Sequence, residues 1–254
     1  MATTHHSIDI YPIHRVPATR PFIWLAEGWD SLMHHKAASL TYGALVALIG
    51  SVILAYNDHP LYIGASVTAF LVVGPVITSG LCELSRRRDH GDTSSFLGSL
   101  DAIGRNYVEL LRLAAVLVFT ALICFNLAAM YLYSTTGSAV PAFASMAWGD
   151  ILAQLSSAHV AAYALAFLVI SCVVFLLSVV SVPMIIDRHV NAEIAMRISL
   201  RVALQDIPAM IIWSGLIISL VAFGFGTKLW GMVVVIPLLG HATWYAYRDL
   251  VEEA

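Results

Sequence analysis

Val160 to Ile186 reads VAAYALAFLVISCVVFLLSVVSVPMII, 27 consecutive residues without a charge. At about 1.5 Å of rise per residue, a helix of that length exceeds the roughly 30 Å of hydrocarbon in a bilayer. A helix packed in a soluble domain keeps a polar face, and this run has none. Working outward, five more apolar stretches of spanning length appear at 37–56, 61–81, 108–133, 207–225 and 230–247. The backbone of a lipid-embedded segment has to satisfy its own hydrogen bonds, which leaves helices or a closed barrel. The alternating ten-residue segments of a barrel are absent. The sequence therefore predicts an all-α fold, a polytopic transmembrane helix bundle of about six spans. Its organisation reads as a cytoplasmic N-terminal segment at 1–36, a six-helix transmembrane domain at 37–250 and a cytoplasmic tail at 251–254.

Composition agrees with lipid as the solvent. Of 254 residues 59% are apolar and 11% charged, with a mean hydropathy of +0.83. The net charge is -3 and there is no long cationic block, so nucleic acid is not an expected partner. Cys82, Cys124 and Cys172 fall in or at the end of three different apolar runs, without zinc-type spacing, and read as packed small hydrophobes. The polar start, with His5, His6, Asp9, His14, Arg15 and Arg20, is unlike a cleaved signal peptide.

The location of charge sets the expected orientation. Arg15, Arg20 and Lys36 precede the first span; Arg86, Arg87, Arg88 and Arg105 separate the second and third. Arg188, Arg197 and Arg201 separate the fourth and fifth, and Arg248 follows the sixth; Lys228 alone falls on the opposite side. By the positive-inside rule both termini and the loops 83–107 and 187–206 are cytoplasmic. The short connections Asn57-Asp58-His59-Pro60 and Gly226-Thr227-Lys228-Leu229 make antiparallel hairpins.

Both cytoplasmic loops follow one scheme. Each is a span with a proline kink, at Pro75 or Pro183, then an amphipathic helix that leads into the next span. Ser94 is the expected N-cap before Phe96, Leu97, Leu100 and Ile103, and Asn191 before Ile194, Ile198 and Val202. The sixth span repeats the kink at Pro237 and then ends. These two cytoplasmic amphipathic helices suggest an internal parallel repeat. On the outer side, Trp148 to Leu155 in the loop 134–159 is an expected interfacial helix.

Few residues suit chemistry. His241 is the histidine set well inside a span, in the stretch Gly240-His241-Ala242-Thr243-Trp244-Tyr245-Ala246-Tyr247-Arg248-Asp249. A buried imidazole there is an interhelical hydrogen-bonding group or, in a sharper reading, a ligand for haem or copper; either metal needs further ligands that the sequence does not display. No cofactor is therefore predicted, with haem or copper at His241 as the competing possibility. Trp244, Arg248 and Asp249 close the same span, and Glu109 and Arg112 have the i,i+3 spacing of an ion pair anchoring the third. His34 and His35, with His14, are a weaker metal combination, because adjacent helical residues point about 100° apart. Gly74, Gly80, Gly215, Gly224, Gly226 and Gly231 suit close helix packing. Nucleophilic triads, phosphate loops and dinucleotide fingerprints are not found.

Five stretches resemble one family: Arg20 to Asp30 (RPFIWLAEGWD), Ser39 to Gly43, Val73-Gly74-Pro75, Leu177 to Met184, and Pro237 to Leu250. It is an uncharacterised family of predicted bacterial six-span integral membrane proteins, some of which carry a cytochrome c oxidase subunit label. The resemblance implies a multi-pass protein of the bacterial inner membrane. A catalytic haem–copper subunit holds its metals through several histidines inside its spans, and His241 stands alone, so the chain is not that subunit. The expectation is a non-catalytic accessory or assembly subunit of a larger membrane complex, with a respiratory complex the one that the label suggests. A small-solute or lipid channel or transporter, and a metal- or haem-binding protein using His241, are the alternatives. Expected partners are the lipid bilayer and either a protein within that complex or further copies of the chain.

Overall fold

The computed structural model describes residues 11–55, 60–92, 95–136 and 157–251. Among them the order is α1 (Arg20–His34), α2 (Lys36–Ala55), α3 (Pro60–Asp89), α4 (Phe96–Thr136), α5 (Ser157–Ser178), α6 (Ser181–Arg188), α7 (Ala192–Gln205), α8 (Ile207–Gly226) and α9 (Met232–Leu250). No strand occurs among the described residues, and the fold is a helical membrane bundle. Three stretches there are long and apolar enough to cross a bilayer: Phe96–Cys124, Leu168–Arg188 and Ile207–Gly226. The apolar stretch 61–81 falls on α3 and 230–247 on α9. The expected helix at 148–155, the N-cap at Ser94 and the turn 57–59 lie outside the described residues.

Helix α9 lies at the centre, packed against α1, α2 and α3 and touching α6 and α8. Its buried side chains include Met232, Val235, His241, Trp244, Tyr247 and Leu250. Two glycines outside the expected set let its neighbours approach. A Cβ on Gly43 of α2 would lie 2.1 Å from the Val233 carbonyl oxygen, and one on Gly28 of α1 would lie 2.8 Å from the Ala242 nitrogen. Both would press on backbone, which does not yield as a flexible side chain does. Of the six glycines expected to pack, Gly80, Gly224 and Gly231 do so; nothing described lies within 4 Å of a Cβ at Gly74, Gly215 or Gly226.

The N-terminal segment is part of this bundle. Pro21 opens α1, and Trp24, Gly28, Ser31 and Leu32 form its buried face, while Phe22, Ile23 and Trp29 are exposed. An amphipathic helix with apolar side chains on its outer face suits the membrane interface. Residues ahead of it cross the end of α9: His14 N donates to the Leu250 carbonyl (3.1 Å), and Val16 N donates to Asp206 Oδ2 (2.8 Å).

The two loop units diverge. In the first, the amphipathic segment and the third span form one unbroken 41-residue helix, α4, capped by Ser95 Oγ accepting from Gly98 N at 3.2 Å. In the second, the amphipathic helix α7 and the next span α8 are separate, meeting at Asp206, and the preceding span is itself interrupted. Pro183 does not kink a continuous span; the helix stops at Ser178, turns at Val179 and Val180, and restarts as α6, with Pro183 its third residue. Ser199 of α7 fills the break, its hydroxyl donating to the Leu176 carbonyl (2.8 Å) and accepting from Val180 N (3.5 Å). Those are the two groups that an intact turn would join directly. Pro75 and Pro237 sit inside helices that run through them, and all three prolines are buried. On α7 the buried face is Ala192, Ala195, Ile198, Ser199, Val202 and Ala203, with Ile194 at its edge. Asn191 is the N-cap by position but makes no side-chain cap bond.

Replacing Ser199 with Ala is expected to leave both backbone groups unpaired in a buried position and to destabilise the fold by about 1–3 kcal/mol. Ser219→Ala, on the exposed face of α8, is expected to be neutral. Thermal unfolding of the two variants in one detergent compares them.

Candidate functional site: the polar end of α9

The site begins with the burial of His241, whose side chain has no exposed surface. An imidazole carries two polar nitrogens, and each costs free energy inside a packed bundle unless it is hydrogen-bonded. Three helices supply the partners. Ser39 Oγ of α2 lies 2.8 Å from Nε2, Ser85 Oγ of α3 lies 2.7 Å from Nδ1, and Ser31 Oγ of α1 lies 3.4 Å from Nδ1 and 3.1 Å from Ser85 Oγ. All three serines are fully buried. One neutral imidazole thus joins α1, α2 and α3 to α9. Both of its nitrogens face hydroxyls, so metal coordination would require one of these contacts to be given up.

Nearer the helix end, α9 is held by charge. Asp89 Oδ2 accepts from Trp244 Nε1 (2.8 Å) and Arg248 Nη1 (2.6 Å). Asp249 accepts from Arg20 Nε (2.5 Å) and Nη2 (3.0 Å) and from Trp24 Nε1 (2.6 Å). Tyr247 donates to Asp187 Oδ2 (2.8 Å) and accepts from Arg188 Nε (3.3 Å). Arg88 of α3 pairs with Asp30 of α1. Trp24 also meets Trp213 edge to face at 5.6 Å, which ties α1 to α8.

A second cluster surrounds Glu83, a buried carboxylate on α3. It accepts from Arg86 Nε (2.7 Å) and Arg87 Nε (2.8 Å), and Arg105 Nη2 lies 3.5 Å away. Arg87 Nη2 also donates to the Gly98 carbonyl (3.0 Å) and so joins α3 to α4. Burial pushes the Glu83 carboxyl up, but the hydrogen bonds from Arg86 and Arg87 outweigh it and hold it below its ordinary value. The half-buried Glu27 shifts the other way, raised by burial and by the negative charge of Asp249.

Of the residues singled out in the sequence, His241, Trp244, Arg248 and Asp249 come together in this network. Glu109 and Arg112 form their own pair on α4 (2.6 Å), and Glu109 Oε2 accepts from Ala192 N at 2.9 Å, supplying the α7 cap that Asn191 does not. Pro75, Pro183 and Pro237 pack in the bundle. Ser31, Ser39, Ser85, Glu83, Asp89 and Asp187 were missed. For Glu83 the signal was present, since Arg86 and Arg87 follow it by three and four residues on a helix. The serines carry no comparable pattern. His34 and His35 stack edge to face at 4.8 Å, and His35 Nδ1 is buried with no hydrogen-bond partner among the described residues. No group of three metal-capable side chains occurs among those residues.

His241→Ala is expected to open a cavity and strand the serine hydroxyls, at a cost of about 2–5 kcal/mol. His241→Leu combined with Ser39→Ala and Ser85→Ala removes the partners together and is expected to recover most of that loss. Detergent-solubilised unfolding midpoints measure both.

The acidic groups give a signed dependence on pH. Because the folded Glu83 carboxyl lies below its unfolded value, its contribution is complete above the ordinary carboxylate range and is lost as pH falls through the folded value. Glu83→Gln is expected to destabilise at pH 7.5 by about 1–3 kcal/mol, with the gap to the parent closing below about pH 4. For Glu27 the sign reverses: its contribution is present below the unfolded value and lost as pH rises, so Glu27→Gln is expected to leave neutral-pH stability unchanged or higher. Melting curves across that range read both signs.

No curated protein and no solved structure matches the chain. A family model matches residues 63–187, which takes in Val73-Gly74-Pro75 and Leu177 to Met184 of the stretches quoted above; those at 20–30, 39–43 and 237–250 lie beyond it. That family is described as predicted integral membrane protein (DUF2189), and the chain is similar to it over those residues, just under half of its length.

Proposed function

We propose that this integral membrane protein is a non-catalytic accessory or assembly subunit of a larger complex in the bacterial inner membrane, with both termini in the cytoplasm. The observation that carries the proposal is how the polar side chains are used. His241, Trp244, Tyr247, Arg248 and Asp249 are each spent on a bond to another helix. Outward, α4 and α8 present large apolar side chains, among them Phe119 and Ile211 at 65% exposure each. A rigid polar end with broad apolar flanks suits a component that binds through its surface. The clustering of arginines at the end of the bundle where α1 begins and α9 finishes supports the orientation.

Tagged full-length protein, purified from its native membrane in mild detergent, tests this by mass spectrometry and an absorption spectrum of one fraction. A defined enzyme complex co-eluting at constant ratio is the expected result. A haem or copper signal retained after that complex is removed, and lost in His241→Leu, would replace the proposal with a cofactor protein. A colourless preparation free of other proteins would overturn it in favour of a small-solute or lipid pathway.

A further inference from the structure

Asn126 stands apart from the other polar groups of the bundle. It lies within the apolar stretch 108–133, on the exposed face of α4. Its Nδ2 donates one hydrogen bond, to the Leu122 carbonyl of its own helix at 2.7 Å. The second Nδ2 hydrogen and the Oδ1 acceptor have no partner among the described residues. A carboxamide facing hydrocarbon with a free donor and a free acceptor is costly, and such groups in spans characteristically bond across helices.

The surroundings of Asn126 define a surface. Phe119, Leu122, Ile123, Asn126, Leu127 and Met130 line a groove of about 360 Å³. Phe119, Ile123, Asn126 and Met130 of that groove, with Val116 one turn before it, follow one another in steps of three and four residues, and all are exposed. That spacing is the seam of a left-handed helix pair, and a single polar residue in such a seam fixes its register. We infer that α4 pairs with α4 of a second copy of this chain, the two Asn126 carboxamides exchanging Nδ2–H···Oδ1 hydrogen bonds.

The geometry favours a second copy over an unrelated helix. Two copies inserted in the same sense are related by a two-fold axis along the membrane normal, so each residue of α4 meets its counterpart at the same depth. A carboxamide is self-complementary, offering one donor and one acceptor. Self-pairing therefore satisfies both unused groups at once, whereas another protein would have to place a matching group at that depth. The inference stands independently of the accessory role proposed above.

The test is cysteine cross-linking of full-length protein in its native membranes, in a Cys124→Ala, Cys172→Ala background that leaves the buried Cys82 in place. Ile123→Cys and Met130→Cys are expected to give a disulfide-linked species of twice the monomer mass on mild oxidation. Ile218→Cys, exposed on α8, is expected to remain monomeric. Adding Asn126→Leu to Ile123→Cys is expected to lower the dimer yield at least threefold, and Asn126→Gln to preserve most of it. Three results would overturn the inference: adducts with a different protein; cysteines that are blocked to maleimide yet not cross-linked, as cover by another part of the same chain would produce; or free labelling without dimer. A dimer yield unchanged by Asn126→Leu would remove the carboxamide from its role.

Discussion

The bundle depends on satisfying the imidazole of His241 away from water. A buried imidazole with unmet nitrogens would destabilise the helix that carries it. The solution draws one serine from each of α1, α2 and α3 onto α9, and that requirement fixes where those helices cross. Close approach follows, and it is possible because glycine stands at positions 28 and 43, where any side chain would meet the backbone of α9. The polar contact and the small residues are two halves of one constraint.

Below that layer the network becomes ionic as it nears the charged end. Asp89 accepts from two side chains of α9 and Asp249 from two of α1, while Asp187 accepts from Tyr247 of α9 and pairs with Arg188 beside it. Aromatic donors recur in it: Trp24, Trp244 and Tyr247 each place a polar tip on a carboxylate while the ring packs in the core. Side chains with an apolar body and one polar tip suit the level at which a membrane protein passes from hydrocarbon to water.

The break between α5 and α6 shows a second way of meeting the same demand. Where the backbone ladder opens at Val180, a serine from α7 replaces the missing bond, and the amphipathic helix is thereby held against the helix it follows. In the first unit α3 runs unbroken through Pro75 and needs no such patch. The shared scheme of span, proline, amphipathic segment and following span therefore yields two long helices in one unit, α3 and α4, and four shorter ones, α5 to α8, in the other.

The sequence by itself determined the membrane class, the helical fold and the positions of the apolar helices, because runs of uncharged residues longer than a bilayer is thick leave the backbone few alternatives. It also marked His241, Trp244, Arg248 and Asp249, since polar groups at the end of a span stand out against their surroundings. The tertiary structure alone decided what they meet. Ser31, Ser39 and Ser85 look in sequence like any other small polar residues at helix ends, and Gly28 and Gly43 like any other glycines. Their roles arise from which helices lie side by side, and that proximity is set by packing between residues far apart in the chain, which hydropathy and local spacing do not encode.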